Sequence, residues 1–237
     1  DGKNGNEYVK TESLQKFKEL DFLFDNLWDR FSTITPKKEY KIIELFAGCG
    51  GLALGLENAG FKSLLTNEID NDASKTLKLN RPNWNVVNDD ISNVSFKKYL
   101  NKVDMISGGF PCQAFSYAGN KFGFDDTRGT LFYEFARAVK EVNPKIFVAE
   151  NVRGLLTHDN GRTLETIKSV ISELGYDLVS EEVLRAIFYK VPQKRERLIL
   201  VAVRKDLSPY VRYTKPPKNN KIFTLSDALK SGILYNQ

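Results

Sequence analysis

The stretch YKIIELFAGCGGLALGLENAGF, Tyr40 to Phe61, is where the fold can first be read. Tyr40 to Phe46 is a short run of mostly apolar residues, the pattern of a buried strand. Glycines follow at once, and then GLALGLENAGF has the composition and spacing of a helix. Gly48, Gly50 and Ala53 satisfy G-x-G-x-x-A. The glycines let the chain turn tightly and bring bare backbone against a ligand, while the small third residue lets helix and strand pack closely.

The alternation continues outward. KSLLTNE (62–68) reads as a strand and NDASKTLKLN (71–80) as a helix. NWNVVND (83–89) and VDMIS (103–107) are two more strands, and GTLFYEFARAVKEV (129–142) is a helix. KIFVAEN (145–151) is a strand and GRTLETIKSVISELG (161–175) a helix, and YDLVSEEVLRA (176–186) and ERLILVAVR (196–204) are final strands. Strands alternating with helices predict an α/β fold, a doubly wound and mostly parallel sheet of Rossmann-like type with helices on both faces. Upstream, Leu14, Phe17, Leu20, Leu23, Phe24, Leu27, Trp28 and Phe31 recur at helical steps until Pro36. This amphipathic helix is expected to pack on the main domain, with partner binding as the alternative. Three regions are expected: an extension over 1–38, the main domain over 39–206, and a loop-rich tail over 207–237.

Bulk composition narrows the class. A hydrophobic content of 41% and a charged content of 27% are ordinary for a globular protein. No apolar run approaches the roughly 20 residues of a membrane span, and no secretory signal opens the chain. Cys49 and Cys112 cannot build a disulfide framework, and a single histidine, His158, argues against a histidine-rich metal centre; no metal is expected. A net charge of +5 is compatible with a nucleic-acid partner.

In open α/β sheets ligands sit beyond the carboxyl ends of the strands, so the residues just after each strand form one set. Glu68, after the second strand, is spaced from Gly48 as an acid that accepts ribose hydroxyls. Asp89 and Asp90 follow the third strand, where an acid can receive an adenine amino group. These features do not choose between a dinucleotide and S-adenosylmethionine. After the fourth strand comes GGFPCQAFS (108–116), with Cys112 on a Gly-Pro loop at the mouth of the crevice. The thiolate is the attacking form of cysteine, and nearby cations or a helix N-terminus would favour it. Cys49, by contrast, is expected to be a small buried residue. Glu150 ends the fifth strand after the apolar run IFVA, a setting that raises a carboxyl pKa and suits a proton donor. Arg195 and Arg197, in an extended segment, are expected to point the same way and to serve substrate oxygens or phosphates.

At these residues the sequence resembles the DNA (cytosine-5)-methyltransferase family of bacterial modification enzymes. FAGCGGL resembles its cofactor loop, NEID and NDDIS the second and third cofactor segments, and GGFPCQAFS the nucleophile loop. ENV resembles the proton-relay motif, QKRER the arginine motif, and GFDDTRGTLF the segment after the mobile catalytic loop. The match runs over roughly residues 40–206.

The resemblance implies an S-adenosylmethionine-dependent enzyme acting on double-stranded DNA in a bacterial cytoplasm. It implies a cofactor cradle of Phe46, Glu68, Ile69, Asp90, Ile91, Pro111 and Leu131, beside Gly48 and Gly50. It implies covalent catalysis by Cys112, with Glu150, Arg195 and Arg197 on a flipped-out cytosine. The segment from Gln113 to Arg128 is expected to close over the base, with Gln113, Ser116 and Arg128 contacting DNA. In the family a target-recognition domain follows the arginine motif, whereas the tail after Asp206 is short. The chain therefore resembles a catalytic portion alone, a subunit of a split enzyme or a truncated one, and a second polypeptide carrying target recognition is expected. The family's last helix often comes from the far end of the chain, and the N-terminal helix is a candidate to take part of its place. The alternatives are a transfer-RNA cytosine methyltransferase, disfavoured by Phe110, and a non-catalytic DNA-binding subunit. A nicotinamide-dependent oxidoreductase and a Cys112/His158 hydrolase each leave motifs unexplained.

Overall fold

The computed structural model describes residues 38–112, 124, 130–219, 222 and 224–226. The chain divides into two compact units, Asp1–Thr35 and Pro36–Gln237. The N-terminal helix expected within the first lies outside the described residues. No helix among the described residues is long and apolar enough to cross a membrane.

The second unit follows the predicted alternation: β1 (Tyr40–Leu45), α1 (Gly51–Asn58), β2 (Phe61–Asn67), α2 (Asn71–Asn80), β3 (Val86–Val87), β4 (Met105–Gly108), α3 (Leu131–Val142), β5 (Ile146–Val152), α4 (Arg162–Glu173), β6 (Tyr176–Arg185) and β7 (Glu196–Arg204). The sheet order is β3-β2-β1-β4-β5-β7-β6. β1 pairs in parallel with β2 on one side and β4 on the other. The order reverses there, which opens a crevice at the carboxyl ends of β1 and β4. β7 lies between β5 and β6 and runs antiparallel to both. Only a loop joins β6 to β7, and without a helical crossover the chain must turn back on itself.

Alternation within the strands sends Ile43 and Leu45 of β1, Ile106 of β4, Phe147 and Ala149 of β5 and Leu198 and Leu200 of β7 into one apolar core. α3 answers with buried Phe132, Phe135, Ala136, Val139 and Val142, a stripe at steps of three and four. Thr130 Oγ1 caps α3 by accepting from the Tyr133 N–H at 3.1 Å. Asn143 ends it in the left-handed region at φ 51°. The third strand is shorter than expected, only Val86–Val87. Side-chain amides extend its hold on β2: Asn67 Nδ2 donates to the carbonyls of Val87 and Asp89 at 3.2 and 3.0 Å, and Asn88 Nδ2 to those of Glu68 and Ile69, both at 3.0 Å.

Candidate active site

Two glycines place the loop that carries Cys112. A Cβ on Gly108 would lie 2.7 Å from the Leu45 carbonyl oxygen, and one on Gly109 would lie 3.0 Å from Glu150 Oε2. Phe110 then plunges into the core, with ring centroids 5.1 Å from Phe132 and 5.6 Å from Phe135. Asn151, the middle residue of ENV, is buried and donates through Nδ2 to the Phe110 carbonyl at 2.8 Å. The loop is thus pinned on both sides just before Pro111 and Cys112. Sequence reasoning missed this part of Asn151; the signal was an amide directly after the candidate acid at a strand end.

Cys112 is exposed at the end of this loop. Partial burial pushes its thiol up from the ordinary value. The described surroundings therefore do not lower it, as nearby cations or a helix N-terminus would have done. Cys49 is exposed as well, which corrects the expectation of a buried small residue: the glycine turn carries it outward beside Gly50.

Glu150 sits half-buried at the end of β5. Arg197 Nε lies 2.8 Å from Glu150 Oε1, and Arg195 Nη2 reaches the same oxygen at 3.5 Å. The two arginines do share a side, as extended backbone requires. Glu196, between them, pairs instead with Arg153 at 2.8 Å and Arg185 at 2.7 Å. Arg195 and Lys194 also line a wider cavity of about 640 Å³, together with Val152, Arg153, Arg185 and Phe188.

The crevice itself has a volume of about 280 Å³. Phe46, Ile69, Ile91, Pro111 and Leu131 give it apolar walls, and Gly48, Glu68 and Asp90 line its polar part. Asn67 and Gly109 line it too, and neither was singled out from the sequence. Phe46 holds φ 55°, a conformation rare for a residue with a side chain. Such strain, typically about 1–3 kcal/mol, collects at functional sites. Glu68 Oε2 accepts from the Gly48 N–H at 2.6 Å and Oε1 from the Asp70 N–H at 2.8 Å, which fastens the glycine turn to the end of β2. Each oxygen keeps a further lone pair for a ligand hydroxyl. Asp90 accepts from the Ser92 hydroxyl at 2.7 Å and the Ser92 N–H at 2.8 Å, and these bonds hold its carboxyl below the usual range. Gly50 lies outside the crevice: at φ +90°, its added Cβ would meet Leu77 Cδ2 at 2.5 Å, so it serves packing of the turn on α2. Gln113, Ser116 and Arg128 lie outside the described residues, as does nearly all of the segment expected to close over the base.

The described chain is thus a mostly parallel α/β sheet with a crevice at its switch point, and with a cysteine, an acid and two arginines beside it. The chain belongs to the C-5 cytosine-specific DNA methylase family, whose model matches residues 40–234. It is 61% identical over 233 residues to the Type II methyltransferase M.Eco47II of Escherichia coli, covering 98% of this chain and 56% of that protein. It is 54% identical to M.PspPI of Psychrobacter sp., covering 97% of this chain and 55% of that protein. The chain thus spans about half the length of the curated relatives it matches. Among solved structures, a DNA modification methyltransferase encoded within an E. coli prophage superposes with a TM-score of 0.66 at 31% identity, over 81% of this chain and 54% of that one. A Spodoptera frugiperda DNMT2 structure superposes with a TM-score of 0.61 at 25% identity, over 78% of this chain and 57% of that one.

Proposed function

We propose that this chain carries the catalytic machinery of a DNA cytosine-5 methyltransferase of the restriction-modification type. The observation that supports it best is the meeting of Glu150 with Arg197 and Arg195 beside the loop that ends in Cys112, at the rim of the crevice. The crevice fits S-adenosylmethionine in kind. Glu68 offers lone pairs to ribose hydroxyls, and Phe46, Ile69 and Ile91 offer apolar surface to an adenine. When bound, S-adenosylmethionine supplies the methyl group.

In the proposed reaction the Cys112 thiolate adds to C6 of a cytosine held out of the duplex, forming an S–C bond. The C5–C6 electron pair moves to make C5 a nucleophile. Glu150 gives a proton to N3 as negative charge gathers on the ring, and Arg197 faces O2. Arg195 supports Glu150 or takes a phosphate. After methylation, C5 gives its proton to water, the electron pair re-forms the C5–C6 bond and expels the Cys112 thiolate, and N3 returns its proton to Glu150. Phe110 favours DNA over transfer RNA only as a sequence difference, since its ring packs in the core. The DNA preference rests on the family and on the names of the relatives.

Trapping with 5-fluorocytosine DNA and S-adenosylmethionine, with a matched RNA in parallel, tests the proposal. A covalent adduct is expected on DNA and is lost in Cys112→Ala. An adduct that survives Cys112→Ala, or that forms only on RNA, would overturn it.

A further inference from the structure

One buried carboxyl near the site has no part in this chemistry. Glu44 lies in β1 and is 1% exposed. Its register partner in β4 is Ser107, whose hydroxyl donates to Glu44 Oε2. Ser107 pairs in turn with Val148 of β5, and the next residue on that face of β5 is Glu150. Glu44, Ser107 and Glu150 therefore share one face of three adjacent strands. On the other side, β2 brings buried Thr66 opposite Glu44, with its hydroxyl paired to Ser63 at 3.1 Å. Among the described residues no ion pair reaches Glu44. The charges that face it are that of Glu150 on β5 and, beyond it, the guanidiniums of Arg195, just before β7, and Arg197 on β7.

Burial pushes the Glu44 carboxyl up to about 7; the Ser107 hydroxyl opposes this and the Glu150 charge adds to it. We propose that Glu44 is a positioning residue whose proton is governed by the charge on Glu150. Glu44 holds its proton more tightly while Glu150 carries its charge, and releases it more readily when Glu150 turns neutral to donate to the base. Part of the charge change at Glu150 is thereby offset at Glu44, whose proton goes to solvent. Ser107 supplies the hydrogen bond that makes a charge on Glu44 tolerable. The methyltransferase reading is needed only to say what neutralises Glu150.

Carboxyl ¹³C NMR titration of the whole chain tests this, with the Glu44 signal assigned by its loss in Glu44→Gln, which keeps an acceptor for Ser107. Wild type should show a near-neutral midpoint. Glu150→Gln should move it about one pH unit towards acid, and Ser107→Ala should move it upward. If Glu44→Gln fails to fold, Glu44→Asp, which keeps a carboxyl but changes its chemical shift, assigns the signal instead. A Glu44 midpoint in the ordinary carboxylate range, or one unmoved by Glu150→Gln, overturns the proposal. In a second arm, the rate of adduct formation on 5-fluorocytosine DNA is followed over about pH 6–8. Wild type should show an inflection that Glu44→Gln lacks. Coupling seen by NMR with no adduct from any variant supports the Glu44 proposal and sinks the methyltransferase reading instead. An adduct that needs Cys112, with no coupling, does the reverse.

Discussion

Glu150 and Arg197 meet diagonally across an antiparallel strand pair. Arg197 Nε lies 2.8 Å from Glu150 Oε1, although Glu150 faces Ile199 in register and Arg197 faces Val152. The guanidinium reaches back along the strand, and Arg195, two residues earlier, approaches the same oxygen. Glu150, the acid of the proposed reaction, is thereby oriented by two planar cations, whose fixed geometry a lysine does not reproduce.

Arg197→Lys should accordingly cost about 10²-fold in the rate of adduct formation or methyl transfer, the scale for losing one oriented donor. Unfolding by urea should change by less than about 1 kcal/mol, because the pair is partly open to water. Equal losses of rate and stability would point to a merely structural pair.

Asn151→Ala removes the donor to the Phe110 carbonyl and leaves a buried acceptor unsatisfied. Denaturant titration should show a loss of about 1–3 kcal/mol. Cys112 chemistry should slow as well, because the loop then hangs from Phe110 alone.

Gly108→Ala forces a methyl group against the Leu45 carbonyl, which is backbone and cannot swing away. A loss of about 1–3 kcal/mol is expected in the same titration. Gly109→Ala presses on the Glu150 carboxylate, the end of a side chain that can shift. It should spare stability while lowering activity.

The Cys112 thiol lies above its ordinary pKa because of burial. The thiolate is the reactive form, so alkylation should keep accelerating as pH rises past the midpoint of a simple thiol. Because Cys49 is also exposed, the rate should be read by iodoacetamide labelling in a Cys49→Ser background. A reaction already at its plateau at neutral pH would contradict the burial effect.

Glu68→Ala should weaken S-adenosylmethionine binding tenfold or more, as calorimetry would show. Bonds to a charged acceptor contribute about 1.5–3 kcal/mol, and each 1.4 kcal/mol is a factor of ten. The change also removes the acceptor of the Gly48 N–H, so Glu68→Gln, which keeps one oxygen, should be milder.

Much of the fold was legible locally. The step pattern of Phe132, Phe135, Val139 and Val142 marks a helix buried on one side, and the run from Tyr40 to Leu45 marks a strand, because each period of side-chain direction is recorded within a few residues. Glu68 and Asp90 could be read for a related reason, because an acid at a strand end has one place to go once the strands are parallel; the apolar residues of the crevice came from the family resemblance. Gly50 misled because positive φ and close packing both demand glycine, and a motif does not say which applies. Cys49 misled because burial depends on what covers a turn. Asn67 and Asn151 were overlooked because an asparagine at a strand end is ordinary until its hydrogen-bond partner is known.

The amino-acid order alone determined the alternation of strands and helices, the glycine turn after β1, and the presence of a cysteine, an acid and an arginine pair at strand ends. These follow from periodicity and from backbone space, which act over short distances. Tertiary structure alone decided that β7 enters between β5 and β6 in the opposite direction, and so brought Arg195 and Arg197 to Glu150. It also decided that Asn151 holds Phe110 and that Glu44 lies on the face of Glu150. Those outcomes depend on which strands pair and in what register, a free energy summed over the whole core and not carried by any single segment.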